Sequence, residues 1–432
     1  MHDDPTHAAA GDAGAPAVAP AAAPVDRLLL ARLFVPFALG YFLSYFFRTI
    51  NAVIAPQLTA EFHLTAASIG LLTSTYFLAF AGMQIPIGLM VDRFGPRRVQ
   101  AALLLLAALG ALGFAYGQTL THLTIARGLI GAGVAGSLMV SFSAFVLWLP
   151  PERVPLASGF LMAFGGLGAF AAGAPTEHFV AGGGAWRDLF VGLAAGSVAV
   201  ASLVYFTVPD HARRGTGTLR ELLSGLGRIY SDRVFWQVAP LSITGLGAAF
   251  ALQGLWAGPW LMQVAHKNSH EVGIHLSVMA LALIAGSIAC GPIASLAARC
   301  GLGLLQAVVV LSLVFIIALG GLVWQLTDIS LLLWATTSFL SNPMSMTYLA
   351  LSQRFDPGMA ARVSTGINAL VLVGSFLIQW LVGRIIALWE PTGPGVYPPQ
   401  AFQASFAIVL ACIVVAWIWC VANLVVNKGK SQ

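Results

Sequence analysis

Charge is what this sequence has least of. Only 9% of its 432 residues are Asp, Glu, Lys or Arg, against roughly 25% in an ordinary soluble domain. Lysine occurs only at Lys267, Lys428 and Lys430, and the arginine-for-lysine bias is the kind expected of a high-GC bacterial coding sequence. The four cysteines, Cys290, Cys300, Cys412 and Cys420, stand in or beside apolar stretches. Lacking both a Cys-x-x-Cys and paired extracellular spacing, they exclude a disulfide framework and a thiolate zinc site. Within the apolar stretches there are no paired carboxylates, metal-ligand clusters or nucleophile–base sets, so an enzyme is not expected. No cofactor, resident metal or nucleic-acid partner is expected either. What the chain has instead is hydrocarbon: 58% hydrophobic residues and a mean hydropathy of +0.86. That composition belongs to a protein crossing the lipid bilayer many times.

Spanning a bilayer takes about 20 apolar residues. By that length twelve spans are expected, at 30–56, 69–90, 99–117, 121–149, 154–179, 186–208, 234–264, 271–297, 303–324, 328–352, 363–389 and 401–426. Residues 1–26 form an Ala/Pro/Gly tail of the composition that stays disordered. It has no basic leader and its apolar run is broken by proline, so the first span is the expected insertion signal. The longest polar interruption runs from Pro209 to Arg233. The expected organisation is therefore a tail (1–26), a six-helix half (27–208), a cytoplasmic linker (209–233) and a second six-helix half (234–427). With both termini cytoplasmic, sixteen of the twenty-one basic residues fall inside and only Arg187 and Lys267 outside. The positive-inside rule thus predicts a multi-pass inner-membrane protein with cytoplasmic ends. A monomer is expected.

The halves also match each other. A gap-free shift of 203 residues puts Phe47 on Phe250, Pro56 on Pro259, Gly70 on Gly273 and Gly88 on Gly291.

Between the second and third spans lies Gly88-Leu-Met-Val-Asp92-Arg93-Phe-Gly95-Pro-Arg97-Arg98. A tight charged turn of this kind can clamp two helices through an Asp–Arg network and release them on a change of shape. It resembles the G-x-x-x-D-R-x-G-x-[RK]-[RK] loop of the major facilitator superfamily of secondary transporters, matching at Gly88, Asp92, Arg93, Gly95, Arg97 and Arg98. The resemblance implies an all-α polytopic fold of twelve helices in two pseudo-repeat halves, alternating access, and a conformational gate at those six residues. The second copy of the loop, around Ala298-Arg299-Cys300-Gly301, has lost the acid.

An ionised side chain deep in a span costs at least about 2.5–3.5 kcal/mol and marks a site by default. Arg48 is the strongest such signal. Helical spacing places it on one stripe with Tyr41, Tyr45 and Asn51, among Phe, Leu, Val and Ile on the other faces, and such a stripe must face a cavity or a partner helix. Arg127 opens the fourth span in a pattern resembling the superfamily's R-x-x-x-G. Arg384 reads as an interfacial anchor. None of the sixteen acids falls near the middle of a span, so the missing partner of Arg48 is expected to be the substrate. Its planar fork suits a carboxylate or sulfonate. Tyr76, Gln253, Trp256, Asn342 and Asn368 supply neutral groups that could complete a small polar site.

Through Arg48, Pro56, Gln84-Ile-Pro86-Ile-Gly88 and Asp92-Arg93-Phe-Gly95 the chain looks most like the anion:cation symporter branch, which includes phthalate-permease-like carriers. It departs from that branch at Val134, where many members carry an acid, and by lacking a second arginine in the seventh span. The leading expectation is uptake of a small organic anion coupled to a proton or cation, with Glu177 or His178 as candidate proton carriers. A copper or other transition-metal carrier using His275, Met279, Met344, Met346 and Cys290 is the alternative, and an efflux carrier for a metabolite or drug is another.

Overall fold

A computed structural model describes residues 27–150, 152–210, 219–355 and 359–429. The 1–26 tail expected to be disordered lies outside these. The described residues form helices and no strand: α1 (Arg27–Thr49), α2 (Asn51–Phe62), α3 (Ala66–Ala115), α4 (Leu120–Val134), α5 (Ser137–Trp148), α6 (Val154–Ala171), α7 (Ala174–Ala181), α8 (Trp186–Thr207), α9 (Leu219–Ser231), α10 (Arg233–Ala251), α11 (Ala257–Gln263), α12 (Ser269–Arg299), α13 (Leu304–Val323), α14 (Ser330–Met344), α15 (Met346–Ser352), α16 (Ala360–Ile386) and α17 (Pro399–Gly429). A π-helical turn, Leu252–Trp256, joins α10 to α11.

Among the described residues nine helical stretches, three of them the pairs α4–α5, α6–α7 and α10–α11, are long and apolar enough to cross a membrane, or ten when α1 and α2, bent by 45° at their junction, count as one span. Twelve were expected, and the difference has a physical origin. The expected spans 69–90 and 99–117 run together as the 50 residues of α3, which are two helices meeting at a kink, each of a length that suits one crossing. Its break is at Gly95 (φ 78°), a backbone conformation open to glycine. The expected span 328–352 is interrupted at Ser345 into pieces of 15 and 7 residues.

The repeat seen in the sequence is kept in the backbone. The α1–α2 break at Thr49 stands opposite the π-turn that begins at Leu252. His63, which ends α2, and His266, just past the end of α11, are both left-handed, with φ of 50° and 52°. Thr65 and Asn268 then cap α3 and α12 with their side chains. Each of these pairs is 203 residues apart. The register slips in the charged turn, where Gly95 is matched not by Ala298 but by the left-handed Gly301.

The 209–233 linker is not all loop, since it contains α9. Leu226 and Ile229 of α9 are buried against Phe235, Val363 and Ile367, and Tyr230 Oη donates to Gly366 O at 3.1 Å. The helical spacing of Leu222, Leu226 and Ile229 was masked by the neighbouring arginines.

The two halves meet along a seam sealed by close helix approaches. Proline has no N–H, so Pro56 leaves the Ala52 carbonyl without its helical donor, and Gly258 of α11 sits against that oxygen, where a Cβ would lie only 2.2 Å away. The same device recurs within the second half, where Pro343 frees Phe339 O and Gly286 abuts it. Large apolar side chains such as Leu109, Ile125, Ile288, Ile317 and Val415 cover the outer surface, as a lipid-facing bundle requires.

Candidate functional site

The polar centre of the bundle is built where α1 breaks. Arg48 occupies the last turn of α1 and is buried. Its guanidinium lies over three aromatic rings, with centroids at 4.6 Å (Tyr45), 4.9 Å (Phe250) and 5.6 Å (Phe80). Phe250 belongs to the other half and is the repeat partner of Phe47. Arg48, Tyr45, Thr49, Phe250, Gln253, Gly254, Leu276 and Met279 line one cavity on the seam. A water molecule's centre can reach about 40 Å³ of it, room for about three waters.

Polar valence around the cavity is incomplete. Arg48 Nε, Gln253 Nε2 and both side-chain polar atoms of Asn51 are buried without a hydrogen-bond partner. Among the described residues, no carboxylate forms an ion pair with Arg48 or Arg127. An unpaired buried cation is strongly unfavourable. The rings offset part of that penalty, by roughly 0.5–2 kcal/mol for each cation–π contact, but they supply no hydrogen-bond acceptor in the guanidinium plane.

Arg127 has a different employment from the one expected. It is almost fully buried, donates from Nη2 to Phe47 O at 2.7 Å, and stacks on Tyr76 at 4.8 Å. Where α1 breaks, its last carbonyls lose their helical donors, and Arg127 caps one of them with a charge of the sign that suits a helix C-terminus. It does not line the Arg48 cavity. Tyr76 in turn donates to Ser44 O at 3.2 Å.

Several other expected residues serve helix–helix contacts. Tyr41 donates to Met162 Sδ at 3.5 Å and packs edge-on against Tyr45. Asn342 donates to Leu283 O at 3.0 Å and to Ser287 Oγ. Trp256 donates to Gln379 O at 3.1 Å and lines a separate cavity with His266, Tyr397 and Pro259. Asn368 bridges the halves: its Nδ2 donates to Gln84 Oε1 at 3.1 Å and its Oδ1 accepts from Tyr348 at 3.3 Å. A second bridge, Gln379 Nε2 to Thr73 Oγ1 at 2.6 Å, also ties α16 to α3. The sequence reading missed Gln379 and Phe80. Phe250 was within reach of it through the 203-residue register.

The charged turn is wired differently from expectation. Asp92, Arg93 and Phe94 are exposed, Asp92 joins no ion pair among the described residues, and Arg93 rests over Phe94 at 5.4 Å. Gly88 has open space beside its Cα. The acid that pairs is Asp210, beyond the end of α8, bound by Arg97 at 2.9 Å and Arg98 at 2.6 Å. These groups are partly exposed, so Asp210→Asn should lower stability by less than about 1 kcal/mol. Thermal unfolding in detergent checks this, and a larger drop would mean the bridge is better shielded than it looks.

Two of the soft-ligand candidates are engaged in hydrogen bonds of their own, and no cluster of three or more His, Cys, Asp or Glu forms among the described residues. His275 has Nδ1 2.7 Å from Glu271 O and Nε2 3.4 Å from Ser330 Oγ, and Cys290 Sγ donates to Gly286 O at 3.4 Å.

Two seam-related helical halves around a buried, uncompensated arginine define a multi-pass membrane transporter. The chain belongs to the Major Facilitator Superfamily, whose description it matches over residues 37–379. It is 28% identical over 194 residues to the "Probable sulfoacetate transporter SauU" of Cupriavidus necator, covering 45% of each chain. It is 27% identical over 257 residues to the nitrate/nitrite transporter NrtP of Nostoc punctiforme, covering 58% of this chain and 49% of that one. With the hexuronate transporter of Escherichia coli K12 it shares 25% identity over 218 residues, 46% of this chain and 50% of the other. The matched stretches thus span about half the length of these relatives. In three dimensions it is similar to a bacterial homologue of the human lysosomal transporter Spinster in an inward-facing, unoccupied conformation (TM-score 0.73, 17% identity, 91% and 97% covered). It is also similar to the nucleoside transporter NupG (TM-score 0.73, 14% identity, 92% and 99% covered). At these identities the two structures establish the fold alone.

Proposed function

We propose that this transporter takes up a small organic anion, a carboxylate or sulfonate, by alternating access across a bacterial inner membrane with both termini cytoplasmic. The observation that carries the reading is Arg48: a buried guanidinium, walled by rings from both halves, with no carboxylate to neutralise it. A carboxylate or sulfonate accepts two parallel N–H bonds from such a fork. Gln253 Nε2, a buried donor on the same cavity wall, offers a third from the other half. The relatives support the same class, since sulfoacetate, nitrate and hexuronate, the solutes in their names, are all anions. The cavity's small free volume favours a solute of few atoms.

A membrane potential negative inside opposes anion uptake by about 2.3 kcal/mol per charge per 100 mV, so uptake takes a co-transported proton or cation. Asp92 and Arg93, unpaired in this state, close their clamp in the opposite one. The carrier works as a monomer.

The test is thermal shift of the purified protein against a panel of small carboxylates and sulfonates, run beside Arg48→Ala. A ligand that stabilises the parent and not the variant is the expected result. Stabilisation by no anion, or equal stabilisation of both proteins, overturns the reading.

A further inference from the structure

We propose that Glu177 is the proton-binding site of this carrier, and that its protonation opens the seam between the halves at the end opposite the Asp92 turn. The inference deepens the anion reading and rests on it for the coupling, though not for the opening of the seam.

A second cavity stacks directly on the first. Thr49, Gly173 and Leu276 line the Arg48 cavity, while Val53, Glu177 and Val272, four residues along each chain stretch, line the next. One helical turn separates them. This second cavity has about 160 Å³ of free space and is closed by Pro56, Gln57, Val180, Ala181, Met262, Ser269 and Gly273. It lies between α2 and α7 of the first half and α11 and α12 of the second, on the line from the Arg48 cavity to the bundle end.

Glu177 is the one carboxylate lining it. Its side chain is only 9% exposed, and its Oε2 lies 3.7 Å from Nδ1 of His270, which is 73% exposed and belongs to the other half. The seam around it is tight: Ala174 N donates to Ser277 Oγ at 2.8 Å, and the absent Cβ of Gly273 would fall 3.0 Å from Glu177 Cβ. In the same cavity Gln57 Oε1 is buried with no donor. A carboxylate cannot serve it, whereas a protonated Glu177 brings the hydroxyl that this acceptor lacks.

The remaining charged groups are otherwise engaged. On α12, Glu271 is bound by Lys267 and by Asn268 N, and His275 by Glu271 O and Ser330. On α7 itself His178 is exposed. Neither α6 nor α11 carries a titratable side chain. Beyond Gln57 on α2, Glu61 is held by Trp186 and Arg187. The site does not suit a hard metal cation, which gathers six or more oxygen ligands, because its walls are mostly Val, Pro, Ala and Met.

The consequence is electrostatic coupling. An anion passing along the seam toward Arg48 is repelled by an ionised Glu177 and not by the neutral acid. The step is a single proton transfer from water to a carboxylate oxygen. It removes the carboxylate's charge, and with it the attraction that Glu177 exerts across the seam on His270 once that imidazole is charged.

The test is a distance measurement by double electron–electron resonance in lipid nanodiscs. Nitroxides on Gly182→Cys and Ala265→Cys flank the seam, in a background with the four native cysteines changed to alanine. Acidification from about pH 8 to about pH 4, through the ordinary carboxylate range, should lengthen the distance in the parent. Glu177→Gln, nearly the same shape and permanently neutral, should show the long distance at both pH values. His270→Gln removes an imidazole that is charged only at lower pH, so it should leave the distance at the higher pH unchanged and still titrate. A Glu177→Gln protein that titrates like the parent overturns the proposal. In proteoliposomes, Glu177→Gln should keep anion exchange and lose accumulation driven by a pH gradient. Retained accumulation overturns the proposal while leaving the anion reading intact. A seam that titrates through Glu177 in a protein that no anion stabilises keeps this proposal and removes the anion reading.

Discussion

Arg48→Ala is expected to weaken binding of the carried anion by at least about a hundredfold and, at the same time, to raise the stability of the empty protein. The first effect follows from the two hydrogen bonds lost to the anion, each about 1.5–3 kcal/mol when the donor is charged. Together they amount to a factor of roughly a hundred to ten thousand. The second follows from the buried charge. A guanidinium buried with Nε unpartnered and no carboxylate paired with it among the described residues destabilises the bundle, and the contacts with Tyr45, Phe80 and Phe250 offset only part of that. Arg48→Lys keeps the charge and loses the planar fork, so it should bind about tenfold to a hundredfold more weakly than the parent. Titration calorimetry with a ligand from the panel, alongside thermal unfolding without ligand, measures both quantities. A variant that loses stability and keeps affinity would make Arg48 a packing residue.

Gly258→Leu should abolish transport while leaving the protein folded and monodisperse. At Gly258 a Cβ would meet Ala52 O at 2.2 Å, and the obstacle is backbone that cannot rotate away. This contact joins α11 of one half to α2 of the other. A larger side chain therefore prevents the halves from meeting here without disturbing the core of either. Val53, buried beside this contact, should then react as Val53→Cys with a water-soluble maleimide in the Gly258→Leu background and not in the parent. Gly131→Leu makes the contrast. Its Cβ would lie 2.3 Å from Tyr76 O within a single half, so it should impair folding outright. Equal labelling of Val53→Cys in both backgrounds would show that the α2–α11 approach is not a moving contact.

Much of this was readable in the chain because the bilayer imposes simple rules. Twenty apolar residues make a span, a charge within one needs a reason, and a repeated fold leaves a repeated register. The 203-residue shift is kept in the backbone, in the paired left-handed histidines and the paired helix caps. Arg48, Tyr45 and Gln253 line one cavity, because a polar stripe on a hydrocarbon helix has only the interior to face. The same logic could not foresee that Arg127 donates to Phe47 O. Depth in the membrane says that an arginine is costly, and says nothing about whether a broken helix one layer away offers it a carbonyl. An Asp–Arg network was expected at the charged turn, and the acid that holds Arg97 and Arg98 is Asp210, more than a hundred residues further on.

The sequence by itself determined the class: an all-helical bundle, two related halves, a charged turn and an arginine with no acid near it. Composition and periodicity decide these because water and lipid act on each segment separately. Only the tertiary structure decided which polar groups are spent on helix breaks and caps and which are left unsatisfied. It alone placed the Glu177 cavity one turn beyond Arg48. Those outcomes depend on distances across the seam, set by where Pro56 frees a carbonyl and where Gly258 lets the other half reach it.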